Sequence, residues 1–205
     1  MTFTVVNTFT LKDPAGAEEF ERRFLSHVEW MRARPGFVTH QAVRSADRPE
    51  VYVNLGRWSS AEDFQQVLAH PVFQEHAAEF HRIVDVDADP SAELLRRTGA
   101  AAGPGDALLV EYVTVTGDTA AFEAAYRAYA EAAAAAEGFV GAELAKSLFA
   151  RPGGYTAATR WRGTADREAA RSLPEYAAVT ALAEVRAVPA THVAGNGVPL
   201  APAGA

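Results

Sequence analysis

Cysteine is absent from the 205 residues, which excludes disulfides, thiolate metal sites, iron–sulfur clusters and a cysteine nucleophile. Basic residues are the minority, 19 Lys and Arg against 26 Asp and Glu for a net charge of -7, and no basic run has aromatics interleaved. Nucleic acid and anionic membrane surfaces are therefore not expected partners. No apolar stretch reaches membrane-spanning length, and Met1 leads into a strand-like segment rather than a basic region and an apolar signal. The expected compartment is the cytoplasm. No Gly-rich phosphate loop follows a strand, so a flavin or nicotinamide fingerprint is missing. His70, His76 and His81 are spaced so that they do not share one helical face. The expected cofactor is none.

What is present is alternation. From Phe3 to Leu11 the residues Phe3, Val5, Asn7, Phe9 and Leu11 share one strand face, with Asn7 in its middle. Asp13-Pro14 breaks the strand. Helical spacing over about 15–34 then gathers Phe20, Phe24, His27, Val28 and Met31 into one stripe, ended by Pro35-Gly36. Two further strands follow, 37–44 and 51–58, and the second places Tyr52, Asn54, Gly56 and Trp58 on one face. Ser59 or Ser60 caps a helix from about Ala61, His70-Pro71 interrupts it, and a helical segment carries Phe73, His76 and Phe80. A fourth strand is expected over 82–86, ended by acidic residues and Pro90. This β-α-β-β-α-β order is the ferredoxin-like pattern.

The pattern then restarts. Gly138-Phe139-Val140 repeats Gly36-Phe37-Val38 at an offset of 102 (138 minus 36), and Arg160-Trp161 repeats Arg57-Trp58 at 103 (160 minus 57). Pro174-Glu175-Tyr176 answers Pro71-Val72-Phe73, also at 103 (174 minus 71). Near-constant offsets point to two copies of one domain. The expected division is 1–92 for the first copy, expected to be the active one, 93–106 for a linker, 107–194 for a more degraded second copy and 195–205 for a flexible tail. A ferredoxin-like sheet has helices on one face only, so two fused copies can bury the other face against each other. The expected fold is α+β, an internal pseudo-dimer closed into an α+β barrel.

Pro35-Gly36-Phe37-Val38, the strand Tyr52 to Trp58, the helix entry Ser59 to Phe64 and His70-Pro71-Val72-Phe73 resemble the antibiotic biosynthesis monooxygenase superfamily. The resemblance covers residues 3–90, and more weakly 107–194. It implies small dimeric α+β barrels, among them anthrone oxygenases of aromatic polyketide pathways and heme-degrading monooxygenases. Of the heme-degrading set only Asn7 matches. The position of that group's iron-ligating His is Ala77, with His76 displaced by one residue, and the position of its Trp is Val67. Asn54 and Trp58 match the Asn-x-x-x-Trp of anthrone oxygenases. Two other groups used in that branch fall on Phe64 and Val43, so proton transfer needs another group.

The resemblance implies a cofactor-independent monooxygenase that oxidises an electron-rich phenolic aromatic to a quinone with O2. The residues named for catalysis are Asn54, Trp58, Asn7 and His27. For substrate binding they are Tyr52, Phe24, Met31, Phe64, Phe73 and His76. The two amides would donate to an oxyanion, Trp58 would form a stacking wall, and His27 would accept the proton. Each has a structural counterpart: Asn54 satisfied by backbone, His27 a core histidine, Trp58 core packing as its repeat Trp161 would be. Glu111, in the place of Asn7, is expected in an ion pair with Arg160 or Arg162, and Asp85, Asp87 and Asp89 at a solvated strand end. A non-oxidative polyketide cyclase and an aromatic-ligand-binding protein remain open, as does pairing of two fused chains.

Overall fold

The computed structural model describes residues 2–195. Alternating residues form β1 (Phe3–Leu11), and Asp13 caps a 3-10 turn at Pro14–Gly16 that opens α1 (Ala17–Arg32). The buried residues of α1 are Phe20, Phe24, His27, Val28 and Met31, the stripe that helical spacing predicts. Strands β2 (Phe37–Ser45) and β3 (Val51–Trp58) follow, then α2 (Ala61–Leu68), capped by the Ser60 side chain, and α3 (Pro71–Ile83), capped by His70. The long β4 (Val84–Thr98) leads to the second copy: β5 (Ala107–Val115), α4 (Thr119–Ala134), β6 (Phe139–Ser147), β7 (Gly154–Trp161), α5 (Thr164–Arg171), α6 (Pro174–Thr180) and β8 (Ala183–Gly195).

The eight strands close into one antiparallel barrel in the order β1-β3-β2-β8-β5-β7-β6-β4. Two ferredoxin-like sheets are thus fused, and the seams between them are β2 with β8 and β4 with β6. The lumen holds Val6, Val43, Val53, Leu55, Leu108, Val110, Val188 and Ala190. The outer faces pack under the helices as two separate cores, one per copy. Arg57 points into the lumen, where it is buried and paired with Glu93 at 3.1 Å and with Glu143.

Four expectations are corrected. The fourth strand begins at Val84 because α3 runs through Ile83, and it continues to Thr98 because its distal half pairs with β6. Residues 93–98, expected in a linker, are therefore strand, and only 99–106 lies between β4 and β5. Asp89 is no solvated end group: barrel closure buries it and brings Arg151 to 2.6 Å and the Ser147 hydroxyl, which donates, to 2.6 Å. Of the expected tail, Gly195 ends β8, and 196–205 lie outside the described residues.

One device recurs in both copies. Gly36 and Gly138 both adopt a positive φ, at 77° and 74°, and a Cβ on either would collide with the side chain of Asp63 or Asp166 in the helix that follows β3 or β7. Gly36→Ala and Gly138→Ala should each lower stability by about 1–3 kcal/mol. Chemical denaturation of each variant measures this, and a loss of less than about 0.5 kcal/mol would contradict the strain.

Candidate functional site

A cavity of about 310 Å³ lies between the outer face of β1, β3 and β4 and the helices α1, α2 and α3. That size suits a small organic ligand. Phe9, Phe24, Met31, Phe37, Phe64, Phe73 and Phe80 give it an apolar wall. Its polar groups are few: Asn7, Asn54, Trp58, His27 and His81. Leu68, His81 and Ala88 are exposed lining residues, so the opening lies between α2, the end of α3 and β4.

Register builds the polar wall. β1 and β3 pair with Asn7 directly opposite Asn54, so both amides stand on the helix-facing side. Asn7 is half-buried, and its side chain hydrogen-bonds to no described residue. Asn54 is buried, and its Oδ1 lies 3.2 Å from His40 Nδ1. With His40 donating from Nδ1, the Asn54 amide is fixed with its NH2 turned away from the imidazole. Gly56 then leaves a gap: a Cβ there would stand 3.5 Å from Asn54 Nδ2 and 3.8 Å from Trp58 Nε1. Two N–H donors from one strand thus border one small space. The repeat differs, since Trp161 Nε1 is buried without a partner.

His27 is buried in the cavity wall, and its Nδ1 lies 2.9 Å from His76 Nδ1. Burial, and next the nearby His76, lower His27 from 6.5 to about 4. Burial likewise lowers His40 to about 4, partly opposed by the bond to Asn54. Both imidazoles are neutral at pH 7. Among the described residues no group of three or more His, Cys, Asp or Glu stands close enough together to hold a metal ion.

Of the ten residues expected at the site, eight line the cavity: Asn7, Asn54, Trp58, His27, Phe24, Met31, Phe64 and Phe73. Tyr52 does not, because its hydroxyl donates to Glu21 at 2.7 Å and its ring packs on Phe20. His76 does not either, because it sits behind His27 and beside Trp30. Gly56, His81 and His40 are additions. His40 was hidden by a bulge between Phe37 and Thr39, which carries it to the helix-facing side together with Phe37.

In the second copy Glu111 pairs with Ala157 as Asn7 does with Asn54. The expected ion pair with Arg160 or Arg162 is not formed. Arg160 lies on the lumen side of β7, both arginines approach Asp106, and buried Glu111 instead accepts from the Tyr176 hydroxyl at 2.5 Å. Burial raises the Glu111 pKa. The buried rings of Tyr126, Tyr129 and Tyr176 fill the space under these helices.

The fold and this cavity define the chain as an α+β barrel with a helix-covered aromatic site in its amino-terminal copy. The model of the antibiotic biosynthesis monooxygenase family matches residues 2–79, and the amino-terminal copy belongs to that family. The deoxynogalonate monooxygenase of Streptomyces nogalater is 38% identical over 74 residues, 36% of this chain, and the match spans 61% of that relative's length. Two solved structures share the whole fold. One, from Lactobacillus acidophilus, has a TM-score of 0.76 at 11% identity and covers 95% of each chain. The other, an anthrone oxidase-like protein, has a TM-score of 0.70 at 20% identity over 98% of this chain and 96% of its own. No helix among the described residues is long and apolar enough to cross a membrane.

The lowered histidines link protonation to folding. Below 6.5 the unfolded chain binds protons that the folded chain refuses until about 4, so stability should fall on acidification through that window, by about 3 kcal/mol per histidine. Denaturant titrations at about pH 7 and about pH 4.5 should show a smaller difference for His40→Gln than for the wild type. Equal differences would rule out the His40 contribution.

Proposed function

We propose that the chain is a cofactor-independent monooxygenase that converts an electron-rich phenolic aromatic, an anthrone, naphthol or hydroquinone, to a quinone with O2. The observation that carries this is the convergence of Asn54 Nδ2 and Trp58 Nε1 on the gap over Gly56, inside an aromatic-walled cavity. The 38% identity to a deoxynogalonate monooxygenase supports it.

Dioxygen reacts slowly with closed-shell molecules because its ground state is a triplet, but an enolate or phenolate can pass it one electron. With an anthrone, the neutral base His27 takes a proton from the CH2 group, and the negative charge collects on the ring oxygen. The amide N–H of Asn54, the indole N–H of Trp58 and the unpaired Asn7 amide stabilise that oxyanion. One electron then passes to O2, and the carbon radical and superoxide combine into a C–O bond. The peroxide anion is protonated. Loss of the second C–H proton breaks the O–O bond, leaving a carbonyl and, after protonation, water. The sum is CH2 plus O2 to C=O plus H2O.

Neutral donors suit this sequence, since the charge they stabilise appears and disappears within one turnover. Burial and the apolar wall keep water from competing, which strengthens each donor. The heme-degrading alternative places Ala77 on the cavity wall where that group uses its iron ligand.

Oxygen uptake by the purified protein on a panel of anthrones, naphthols and hydroquinones tests the proposal. Asn54→Ala should lower turnover by about tenfold or more with folding unchanged. Gly56→Ala meets only ordinary contacts, so it should fold, yet its methyl fills the gap between the donors and should cut turnover by about tenfold. Product mass discriminates further, because a gain of oxygen marks a monooxygenase, whereas conversion without it would support cyclisation. Binding without conversion would leave a ligand-binding protein.

A further inference from the structure

We propose that His76 holds His27 in the tautomer that can act as a base and takes on the proton that His27 removes, so that the two imidazoles work as a proton store behind the cavity. This rests on the oxygenase reading for its chemistry, though the tautomer does not depend on it. The two rings belong to different helices, α1 and α3, and meet nearly edge-on with Nδ1 facing Nδ1 at 2.9 Å. One of these nitrogens must donate and the other accept. His27 is buried and lines the cavity, while His76 is only half-buried and does not line it. Trp30 packs against both rings, and Phe73 and Phe80 close over His27.

Direction follows from what each ring can do. If His27 donates from Nδ1, its Nε2 keeps a lone pair, and no described residue occupies that nitrogen. A buried imidazolium beside phenylalanine rings is costly, so a lone histidine there would be a weak proton acceptor. Transfer along the hydrogen bond removes this difficulty. As Nε2 takes the substrate proton, the Nδ1 proton passes to His76 Nδ1, and the cation forms on the ring with access to water. His27 then presents an N–H to the cavity. That N–H protonates the peroxide anion while His76 returns its proton to His27 Nδ1, which restores the starting state. One proton is borrowed and given back, and no charge remains in the cavity.

His70 uses Nδ1 to accept the Val72 N–H at the start of α3, and Arg23 and Glu79, on the same two helices, pair with each other at 2.5 Å. In the second copy Tyr129 takes the place of His27, and the device is absent.

Two variants separate the roles. Gln in His76→Gln can accept the His27 Nδ1–H bond but cannot take up a proton, whereas His76→Phe loses both. Nitrogen NMR of histidine-labelled wild-type protein near neutral pH should show His27 protonated at Nδ1, a state kept in His76→Gln and lost in His76→Phe. With anthrone as substrate, kcat should fall about tenfold or more in both variants while KM stays within about twofold. Finding His27 protonated at Nε2 in the wild type would overturn the proposal, as would unchanged kcat in His76→Gln. Failure of the oxygenase reading would show itself differently, as no oxygen uptake by the wild-type protein whichever tautomer NMR records.

Discussion

Closure of the barrel is the constraint on which the rest depends. A four-stranded sheet with helices on one side leaves an apolar face that must leave water. Here β2 pairs with β8 and β4 with β6, so the two open faces become one lumen. Closure removes every free sheet edge and fixes which side of each strand is in. A slip of one residue in β3 would exchange Asn54 and Trp58 for Leu55 and Arg57. The Arg57 pairs with Glu93 and Glu143 reinforce the register from within, because an unpaired buried guanidinium is strongly disfavoured.

Closure also separates two kinds of electrostatics. The lumen and its ends carry paired full charges, among them Arg57 with its carboxylates and Asp89 with Arg151. The buried polar groups of the helix-covered cavity, Asn54, Trp58 and neutral His27, are uncharged at pH 7. A fixed cation would bind an anion permanently, whereas neutral N–H dipoles favour it only while it lasts. Around the amino-terminal cavity the sheet thus keeps formal charge on the lumen side and oriented dipoles on the helix side.

The two copies share a backbone and diverge in what fills it. Gly36 with Asp63 and Gly138 with Asp166 repeat the same turn, and the two tryptophans sit at matching ends of β3 and β7. Beneath the second set of helices, tyrosines take the volume that the first leaves open, and Glu111 is held by one of their hydroxyls. The carboxy-terminal copy completes the barrel.

Local patterns were enough for most of the elements, for the repeat and for most of the faces. Period-two alternation placed Asn7 with Val5 and Phe9, and the 3.6-residue period placed His27 with Phe24 and Met31, because side-chain direction is set by backbone geometry alone. The amides and the indole could thus be assigned to one core before any fold was known. What depended on contacts distant in sequence could not be read. The bulge in β2 reversed the face of His40, the seam with β6 carried β4 past Pro90, and burial of Asp89 needed Arg151 from the other copy. Tyr52 and His76 share their expected faces, yet Glu21 and His27 claim their polar groups. Outside the bulged β2, sequence by itself determined which residues face the helices. Only tertiary structure decided which of them border empty space, since a hollow is defined by what neighbouring elements fail to fill.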